Sequence, residues 1–190
     1  MEDVKTIIKE TENVISRISQ VCLDDIRSAI VLLVSAVKNN KKVIWCGNGG
    51  SAADAQHMAA ELMGGLVSHD RKAIPSIALT TDSSFITAWS NDTAYETIFS
   101  RQIEGLGNEG DVLIAISTSG NSKNVIHAIN EAKSKNMKVI ILTGSKGGNM
   151  KSLGEVRICI PSENTQRIQE GHLLVEHILC ESLEASVLDN

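Results

Sequence analysis

Short apolar runs rich in valine and isoleucine, separated by longer amphipathic stretches, most restrict what this chain can fold into. Continuous apolar strands that alternate with helices are typical of a parallel sheet buried on both faces. We therefore expect an α/β fold with a doubly wound, five-stranded parallel sheet and right-handed crossovers. The predicted strands are KKVIWC (41–46), PSIALT (75–80), DVLIAIS (111–117), KVIILT (138–143) and EVRICIP (155–161).

Helical periodicity fills most of the remaining chain. Apolar residues at helical spacing predict two opening helices at 3–20 and 24–38. Each has an apolar face and lies outside the predicted sheet unit, so we expect both helices to pack between the subunits of a homotetramer. With no visible linker or repeat, residues 1–190 form one predicted domain, in which 1–40 assemble the oligomer and 41–190 form the α/β unit. The other predicted helices cover about 51–67, 83–90, 94–105, 122–135 and 165–186.

Composition and charge argue against several classes of protein. The formal net charge is −5 and no basic stripe is visible, so we expect no nucleic-acid partner. No apolar stretch reaches the roughly 18 residues of a membrane span. The four cysteines are widely spaced without a CxxC pair, which is typical of buried, reduced thiols. The opening MEDVKTIIKE is charged and amphipathic rather than a secretory signal, so we expect a cytoplasmic protein.

Two loops rich in glycine and serine directly follow the first and third predicted strands, GNGGS (47–51) and STSGNS (117–122). In doubly wound folds, ligands bind outside the carboxyl ends of the strands, near the point where the strand order reverses. Glycines in the first loop let the backbone approach a ligand, and the start of the following helix favours an anion. The second loop offers four hydroxyls at a helix start, whereas helix capping needs only one of them. We therefore expect a phosphate site at the second loop.

A dinucleotide cofactor is a weaker interpretation of the first loop. Gly47, Gly49 and Ala52 fit G-x-G-x-x-G/A, a fingerprint completed by an acidic residue roughly 20 positions further on, at the end of the next strand. Here the nearest acid to that strand end is Asp82, more than 30 positions past the loop. The interpretation also leaves the second loop unexplained, so we expect no nucleotide cofactor.

A histidine and a glutamate lie one turn apart on the helix that the first loop opens. His57 and Glu61 are at positions i and i+4 and therefore share one helical face. Such a pair in isolation is most often a solvated salt bridge. Its position on a helix that begins at a ligand loop favours a chemical role instead.

The last predicted helix carries several polar residues among its apolar ones. Gln169 and His177 are about two turns apart, so both can lean to one side of the helix. His172 and Glu176 compete with them on spacing alone. The alternative is a purely structural role, in which all of these residues form the solvent-exposed face of the helix.

These segments together resemble the phosphoheptose isomerases, a family of the sugar isomerase (SIS) domain group. The resemblance implies a flavodoxin-like SIS fold over the whole chain, with two extra N-terminal helices. It also implies conversion of sedoheptulose 7-phosphate into D-glycero-D-manno-heptose 7-phosphate by a homotetramer with active sites between subunits. The segments that carry it are CGNGGSAADAQHMAAEL (46–62), Ser90-Asn91-Asp92, GDVLIAISTSGNSKNVIHAI (110–129) and RIQEGHLLVEHIL (167–179).

The resemblance implies roles for individual residues by position. It assigns one zinc ion per subunit to His57, Glu61, Gln169 and His177, and acid/base catalysis to Glu61 and His177. Because a metal-bound Glu61 could not act freely as a base, both of its roles stay open. The residues implied to contact the substrate or its phosphate are Asn48, Gly49, Gly50, Ser51, Glu61, Asn91, Asp92, Ser117, Thr118, Ser119, Ser122 and Gln169.

Two alternative functions stay open within the SIS group. Some SIS tetramers are protein-interaction modules that bind the replication initiator, and these lose the catalytic carboxylate that is present here as Glu61. Other SIS isomerases act on different sugar phosphates. The heptose product implied by the resemblance is a precursor of lipopolysaccharide core, capsule or S-layer glycans.

Overall fold

The computed structural model describes residues 3–188 and contains the predicted alternation of strands and helices. The strands are β1 (Val43–Cys46), β2 (Ser76–Ala78), β3 (Val112–Ile116), β4 (Lys138–Gly144) and β5 (Val156–Ile160). The α-helices are α1 (Val4–Val21), α2 (Leu23–Lys38), α3 (Gly50–Gly64), α4 (Ser83–Asp92), α5 (Ile98–Leu106), α6 (Lys123–Ser134) and α7 (Thr165–Leu188).

All five strands form one parallel sheet in the order β2-β1-β3-β4-β5. In the register of the internal strand β1, Ile44 pairs with Ile77 of β2 on one side and with Leu113 of β3 on the other. The strand order reverses between β1 and β3, so the switch point lies at the carboxyl ends of these two strands. The predicted doubly wound, five-stranded sheet is confirmed, and the two ligand loops flank the switch point.

Alternate residues of each strand enter two separate cores, one on each face of the sheet. In β3, Val112 and Ile114 point toward a core covered by α1, α2, α3 and α7, whereas Leu113 and Ala115 point toward a core covered by α5 and α6. Burial on both faces explains why every residue of β3 is apolar. The two helices that carry the predicted chemistry, α3 and α7, therefore lie on the same face of the sheet.

The opening helices are part of this core. Ile18 of α1 and Leu33 of α2 are 3% and 2% exposed and pack in the same cluster as the sheet. The expectation that these helices lie outside the sheet unit is wrong in this respect, because their buried stripes cover one face of it. Each nevertheless leaves apolar side chains exposed on its other side: Val4, Ile8, Ile15, Val21, Leu23 and Val31.

Two helix boundaries differ from the periodicity. The helix predicted to reach about 67 ends at Gly64, because Gly65 adopts a φ of +118° that turns the chain out of the α conformation. The helix predicted from 94 begins at Ile98, after a short 3₁₀ turn at Tyr95–Thr97. Both changes lie outside the apolar stripes on which the prediction rested.

The helices and the cysteines of the structure bear on the predicted membrane and redox properties. No helix within residues 3–188 is long and apolar enough to cross a membrane. All four cysteines are free thiols, three of them buried and Cys159 half-buried. Burial raises the pKa of the Cys22 thiol to about 11, so this group is a poor nucleophile near neutral pH.

Candidate active site

Two asparagines tie the ligand loops together at the switch point. The side-chain amide of Asn48 donates to Oδ1 of Asn124 at 2.9 Å, and the amide of Asn124 donates to Oδ1 of Asn48 at 2.8 Å. The Tyr95 hydroxyl donates to the same Asn48 oxygen at 2.8 Å. The loop after β1 is therefore fixed against the first turn of α6.

Serine hydroxyls converge in the loop after β3. The Ser117 hydroxyl lies 2.9 Å from that of Ser122 and 3.5 Å from that of Ser119. Ser122 occupies the N-cap position of α6, yet its side chain makes no capping hydrogen bond. The hydroxyls therefore face one another and can rotate toward an anion at the start of α6, where the helix dipole favours negative charge.

The segment after β4 supports this serine loop from behind. The amide of Gly144 donates to the Thr118 carbonyl, and the amide of Met150 donates to the Gly120 carbonyl, both at 3.0 Å. Gly120 has a φ of +65°, and its backbone lies so close to that of Gly147 that a side chain would not fit. The serine loop is thus held by backbone contacts and is preformed for a ligand.

Helices α3 and α7 lie side by side and run in the same direction. Gly50 at the start of α3 lies against the Gln169 side chain, where an added Cβ would come 2.9 Å from Cδ. About two turns further along each helix, the His57 and His177 rings meet edge to face with centroids 5.1 Å apart. Further along, Cys180 lies 3.7 Å from the sulfur of Met58. The four residues that the sequence assigned to zinc thus occupy facing sides of two parallel helices.

His57, Glu61 and His177 form a half-exposed cluster at this helix pair. Nε2 of His57 lies 3.1 Å from Oε1 of Glu61, and their side chains are 44% and 23% exposed. Nδ1 of His177 donates to the Leu173 carbonyl at 2.9 Å, which leaves Nε2 available. The cluster therefore offers a carboxylate and two imidazoles that solvent or a ligand can reach.

The donor atoms of this cluster are of the types that bind zinc. Among residues 3–188, no three histidine, cysteine, aspartate or glutamate side chains converge on a metal position as they stand. The donor types nevertheless suit zinc, because two imidazoles and a carboxylate share one cluster and the His177 tautomer is fixed by its carbonyl contact. The His57–Glu61 separation of 3.1 Å also suits two ligand atoms that each lie roughly 2.0–2.2 Å from one ion. The set fits zinc by its chemistry, and convergence requires rotation of side chains.

The other sequence-assigned residues fall into two groups. Ser51 is buried in the first turn of α3, where it lies against Gly47. Asn91 and Asp92 end α4 and are exposed, and the Asn91 amide donates to the Asp92 carboxylate at 2.8 Å. Within the described chain, no hydrogen bond or ion pair joins these two residues to either ligand loop. Their contact with a substrate stays a prediction.

The residues of α7 implied as zinc ligands meet α3 of their own chain. Gln169 contacts Gly50, and His177 contacts His57. The parallel packing of α3 and α7 on one sheet face brings these residues together within a single subunit. The placement of active sites between subunits stays a prediction.

The residues that competed on α7 are buried. His172 and Glu176 are both fully buried, whereas Gln169 and His177 are half-buried. Burial, reinforced by the negative charge of Asp54, raises the pKa of Glu176 to about 8. Burial likewise lowers the pKa of His172 to about 4. The structure therefore favours Gln169 and His177 as the residues of α7 that meet a ligand.

Asn124 is the residue that the sequence reasoning missed. It is 3% exposed and bonds the two loops together through Asn48. A signal was present, because Asn124 is a polar residue in the stripe of α6 that also contains Val125, Ala128 and Ile129. A buried amide of this kind needs a specific partner.

The chain is similar to known proteins over nearly its full length. The family model of the SIS domain matches residues 7–144. A phosphoheptose isomerase from Sulfurimonas denitrificans is 48% identical over 185 residues, which cover 97% of this chain and 90% of that protein.

Two solved structures resemble the whole chain. A phosphoheptose isomerase from Neisseria gonorrhoeae superposes with a TM-score of 0.90 and 39% identity, covering 96% of this chain and 97% of that one. A phosphoheptose isomerase from Francisella tularensis superposes with a TM-score of 0.92 and 35% identity, covering 96% of each chain. The similarity therefore includes both opening helices and α7.

Proposed function

This chain belongs to the SIS domain family, and we propose that it acts as a phosphoheptose isomerase that converts sedoheptulose 7-phosphate into D-glycero-D-manno-heptose 7-phosphate. The product is a precursor for nucleotide-activated heptose, used in lipopolysaccharide core or capsule. The relatives named as phosphoheptose isomerases span nearly the full length of this chain, which supports the whole activity rather than a part of it.

The uncapped start of α6 is the observation that carries the proposal. Ser122 stands at the N-cap but directs its hydroxyl to Ser117 instead of capping the helix. The loop thereby keeps hydroxyls and helix amides for an anion, in the position where a doubly wound fold binds its ligand. A substrate phosphate held here supplies binding energy remote from the reacting carbons, and that energy positions C1 and C2.

Isomerisation of the ketose moves a hydrogen between C1 and C2 through a cis-enediol. One group removes a proton from C1 and a proton returns at C2, while a second group transfers protons between O1 and O2. Glu61 and His177 supply a carboxylate and an imidazole on facing helices for these steps. General acid–base groups of this kind contribute roughly 10²–10⁴-fold each.

The fixed tautomer of His177 supports its place in the mechanism. Because Nδ1 donates to the Leu173 carbonyl, Nε2 of the neutral ring can accept a proton and later return it. Glu61 serves as the base at carbon, and its contact with His57 orients the carboxylate. Both groups are half-exposed, so a sugar can reach them.

We also propose zinc, held by His57, Glu61, Gln169 and His177 with one ion per subunit, as the alternative role of this cluster, because a metal bound at Glu61 and at Nε2 of His177 would occupy the atoms that otherwise move protons. A bound zinc ion would polarise the substrate carbonyl as a Lewis acid. Metal analysis of protein purified without chelator should find about one equivalent per chain, and His57→Ala should lose it. Zinc titration followed by calorimetry provides a second readout that does not depend on turnover.

The proposal also includes a homotetramer in the cytoplasm. Apolar side chains left exposed on α1 and α2, such as Val31 at 70% exposure, support an interface between copies of the chain. Four free thiols support a reducing compartment. Sites that lie between subunits would then take further residues from a neighbour around the helix pair α3 and α7.

Turnover of sedoheptulose 7-phosphate by the purified protein tests the activity. We expect the aldose product to appear, and substitution of Glu61 to abolish its formation. A folded protein that turns over another sugar phosphate but not this one would assign a different isomerase activity. No turnover of any sugar phosphate would favour the interaction module instead.

A further inference from the structure

A buried carboxylate at the far end of α7 organises the loop that follows α3. Glu184 is 1% exposed and accepts hydrogen bonds from three consecutive backbone amides, those of Leu66, Val67 and Ser68, at 2.7 to 2.8 Å. The Arg71 guanidinium donates to the same carboxylate at 2.7 Å. Every donor comes from the segment that leaves α3, so Glu184 attaches that segment to α7.

Arg71 continues this contact into the predicted active site. Its Nη2 donates to the backbone carbonyl of Glu61 at 2.9 Å, and its Nη1 donates to the carbonyl of Lys72. The amide of Gly65 donates to the same Glu61 carbonyl. A chain of direct contacts therefore runs from α7 through Glu184 and Arg71 to the backbone of Glu61.

This ion pair is charged although it is almost fully enclosed, with side chains 2% and 1% exposed. Burial alone would raise the pKa of Glu184, but the hydrogen bonds from the Leu66 amide, the Arg71 side chain and the Ser68 and Val67 amides outweigh it and lower the pKa to about 2. Apolar residues of similar volume often stabilise a fold as well as a buried ion pair does. The directional contacts of the pair therefore indicate that it fixes the positions of the segments it joins more than it raises the free energy of unfolding.

We propose that Arg71 and Glu184 are positioning residues that fix the register between α3 and α7, and with it the relative position of Glu61 and His177. This inference rests on the proposed isomerase activity. The helices carry the reacting groups on facing sides, and their starts meet at Gly50 and Gln169. The Arg71–Glu184 pair is the polar contact that fixes the other end.

A small slip between these helices would act on the rate rather than on substrate affinity. The phosphate loop lies on β3 and α6, which the Arg71–Glu184 pair does not touch. Glu61 and His177, by contrast, lie between the two ends of the helix pair. A misplacement of about 1 Å in a reacting group can cost on the order of 10²-fold in rate.

Glu184→Gln tests the proposal with little change of shape, and Arg71→Lys keeps the charge but loses the guanidinium that contacts Glu184 and the Glu61 carbonyl together. We expect each to lower kcat roughly 10- to 100-fold, with KM for sedoheptulose 7-phosphate within about twofold of wild type. Asp111→Asn is the matched control. Asp111 is 2% exposed and accepts from the amides of Lys42 and Asn108 and from the Lys42 ammonium, at the amino ends of β1 and β3.

The control variant loses the same kind of buried contact without touching α3 or α7. Its kcat should stay at the wild-type value at temperatures where circular dichroism shows all variants folded. The proposal is overturned if folded Glu184→Gln and Arg71→Lys keep wild-type kcat, if their loss appears only in KM, or if Asp111→Asn loses as much.

A second measurement separates this proposal from the isomerase activity itself. With histidine-selective isotope labelling, the ring signals of His57 and His177 should shift in Glu184→Gln and stay in place in Asp111→Asn. If the wild type turns over no sugar phosphate, the proposed isomerase activity is refuted. The histidine ring signals still show whether Arg71 and Glu184 fix the register between α3 and α7. Unshifted ring signals in both positioning variants would overturn the proposal whatever the activity shows.

Discussion

Two polar residues at this site make hydrogen bonds other than those expected from their positions. Ser122 is at the N-cap position of α6, but its hydroxyl hydrogen-bonds to Ser117. Asn48 is expected to contact the substrate, but its side chain hydrogen-bonds to Asn124 and Tyr95. A serine released from capping is free to bind an anion, and an asparagine committed to its neighbours fixes the shape of the loop.

Glu61→Gln and His177→Ala should each lower isomerase turnover by roughly 10²–10⁴-fold, because each removes a positioned acid or base. Their folds should be unchanged by circular dichroism, since both side chains are half-exposed. Glu104→Gln is a suitable control, because Glu104 forms an exposed ion pair with Arg101 on α5. Wild-type turnover in either site variant would contradict the assigned roles.

Ser119→Ala and Ser122→Ala should mainly weaken substrate binding. Each hydroxyl is expected to contribute about 0.5–1.5 kcal/mol, and more where the acceptor is a charged phosphate. Calorimetry with a sugar phosphate measures the loss. Ser134→Ala, at the other end of α6 where the hydroxyl donates to the Glu131 carbonyl, should bind as wild type does. Equal affinity in all three variants would leave the loop without a phosphate role.

Glu176 should make stability fall as the pH rises. Its folded pKa of about 8 lies above the usual value of 4.5, first through burial and then through Asp54. Between these values the unfolded chain has lost a proton that the folded chain keeps, so the free energy of unfolding decreases with pH. Glu176→Gln should remove this slope.

Urea denaturation at pH 5 and pH 8, with chelator present to exclude metal binding, provides the measurement for Glu176. The stability gained by the Glu176→Gln variant over wild type should be larger at the higher pH. Parallel pH dependence of the two proteins would show that the carboxyl group does not titrate in this range.

At the scale of elements, the strands and their order of appearance could be predicted because apolar periodicity records burial directly. The register of α3 against α7 could not be predicted. Its determinants are a glycine that accepts a neighbouring side chain, Gly50, and a carboxylate that binds amides far away in sequence, Glu184. Neither leaves a periodic signal.

The polar residues of α7 show the same limit in another way. If α7 had one solvent-exposed face, all of its polar side chains would lie on that face. Spacing in the sequence would then be the only criterion for choosing the functional residues among them. Here α7 packs against α1, α2 and α3, as well as against β4 and β5. Because so much of its surface is covered, His172 and Glu176 are buried, while His177 is half-buried beside His57.

Gly50→Ala tests the close approach at the start of the two helices. The new Cβ would lie 2.9 Å from Cδ of Gln169, so the flexible amide must move while the fold stays intact. We expect turnover to fall about 10-fold or more through this displacement. Gly64→Ala, at the other end of the same helix, meets no atom within 4 Å and should keep full activity. Equal activity of the two variants would refute the importance of the contact.

At the scale of the whole molecule, we expect a homotetramer by sedimentation at micromolar concentration. We expect the exposed apolar residues on α1 and α2 to form the interface. Val31→Lys, which places a charge on a residue 70% exposed, should weaken the assembly, whereas Lys9→Glu on the polar side of α1 should not. A monomeric wild type would contradict the assembly.

Mixed tetramers test which chain supplies each group. Because His57 and His177 meet within one subunit, Glu61 and His177 of one site should also come from one chain. Mixing inactive Glu61→Gln and His177→Ala subunits should therefore recover no activity. Recovery to a substantial fraction of the wild-type rate would place the two groups on different subunits.

The distance in sequence between α3 and α7 has a consequence for synthesis on the ribosome. Helix α3 ends at Gly64 and its partner α7 begins at Thr165. At roughly 5–20 residues per second, the ribosome reaches α7 on the order of 5–20 s after it has completed α3. Throughout that interval the apolar residues Met58 and Leu62, which α7 later helps to cover, stand exposed. A nascent or prematurely terminated chain would carry both ligand loops without Gln169 and His177. The activity therefore requires that α7 has been translated, and chains truncated before α7 should be inactive and prone to chaperone capture.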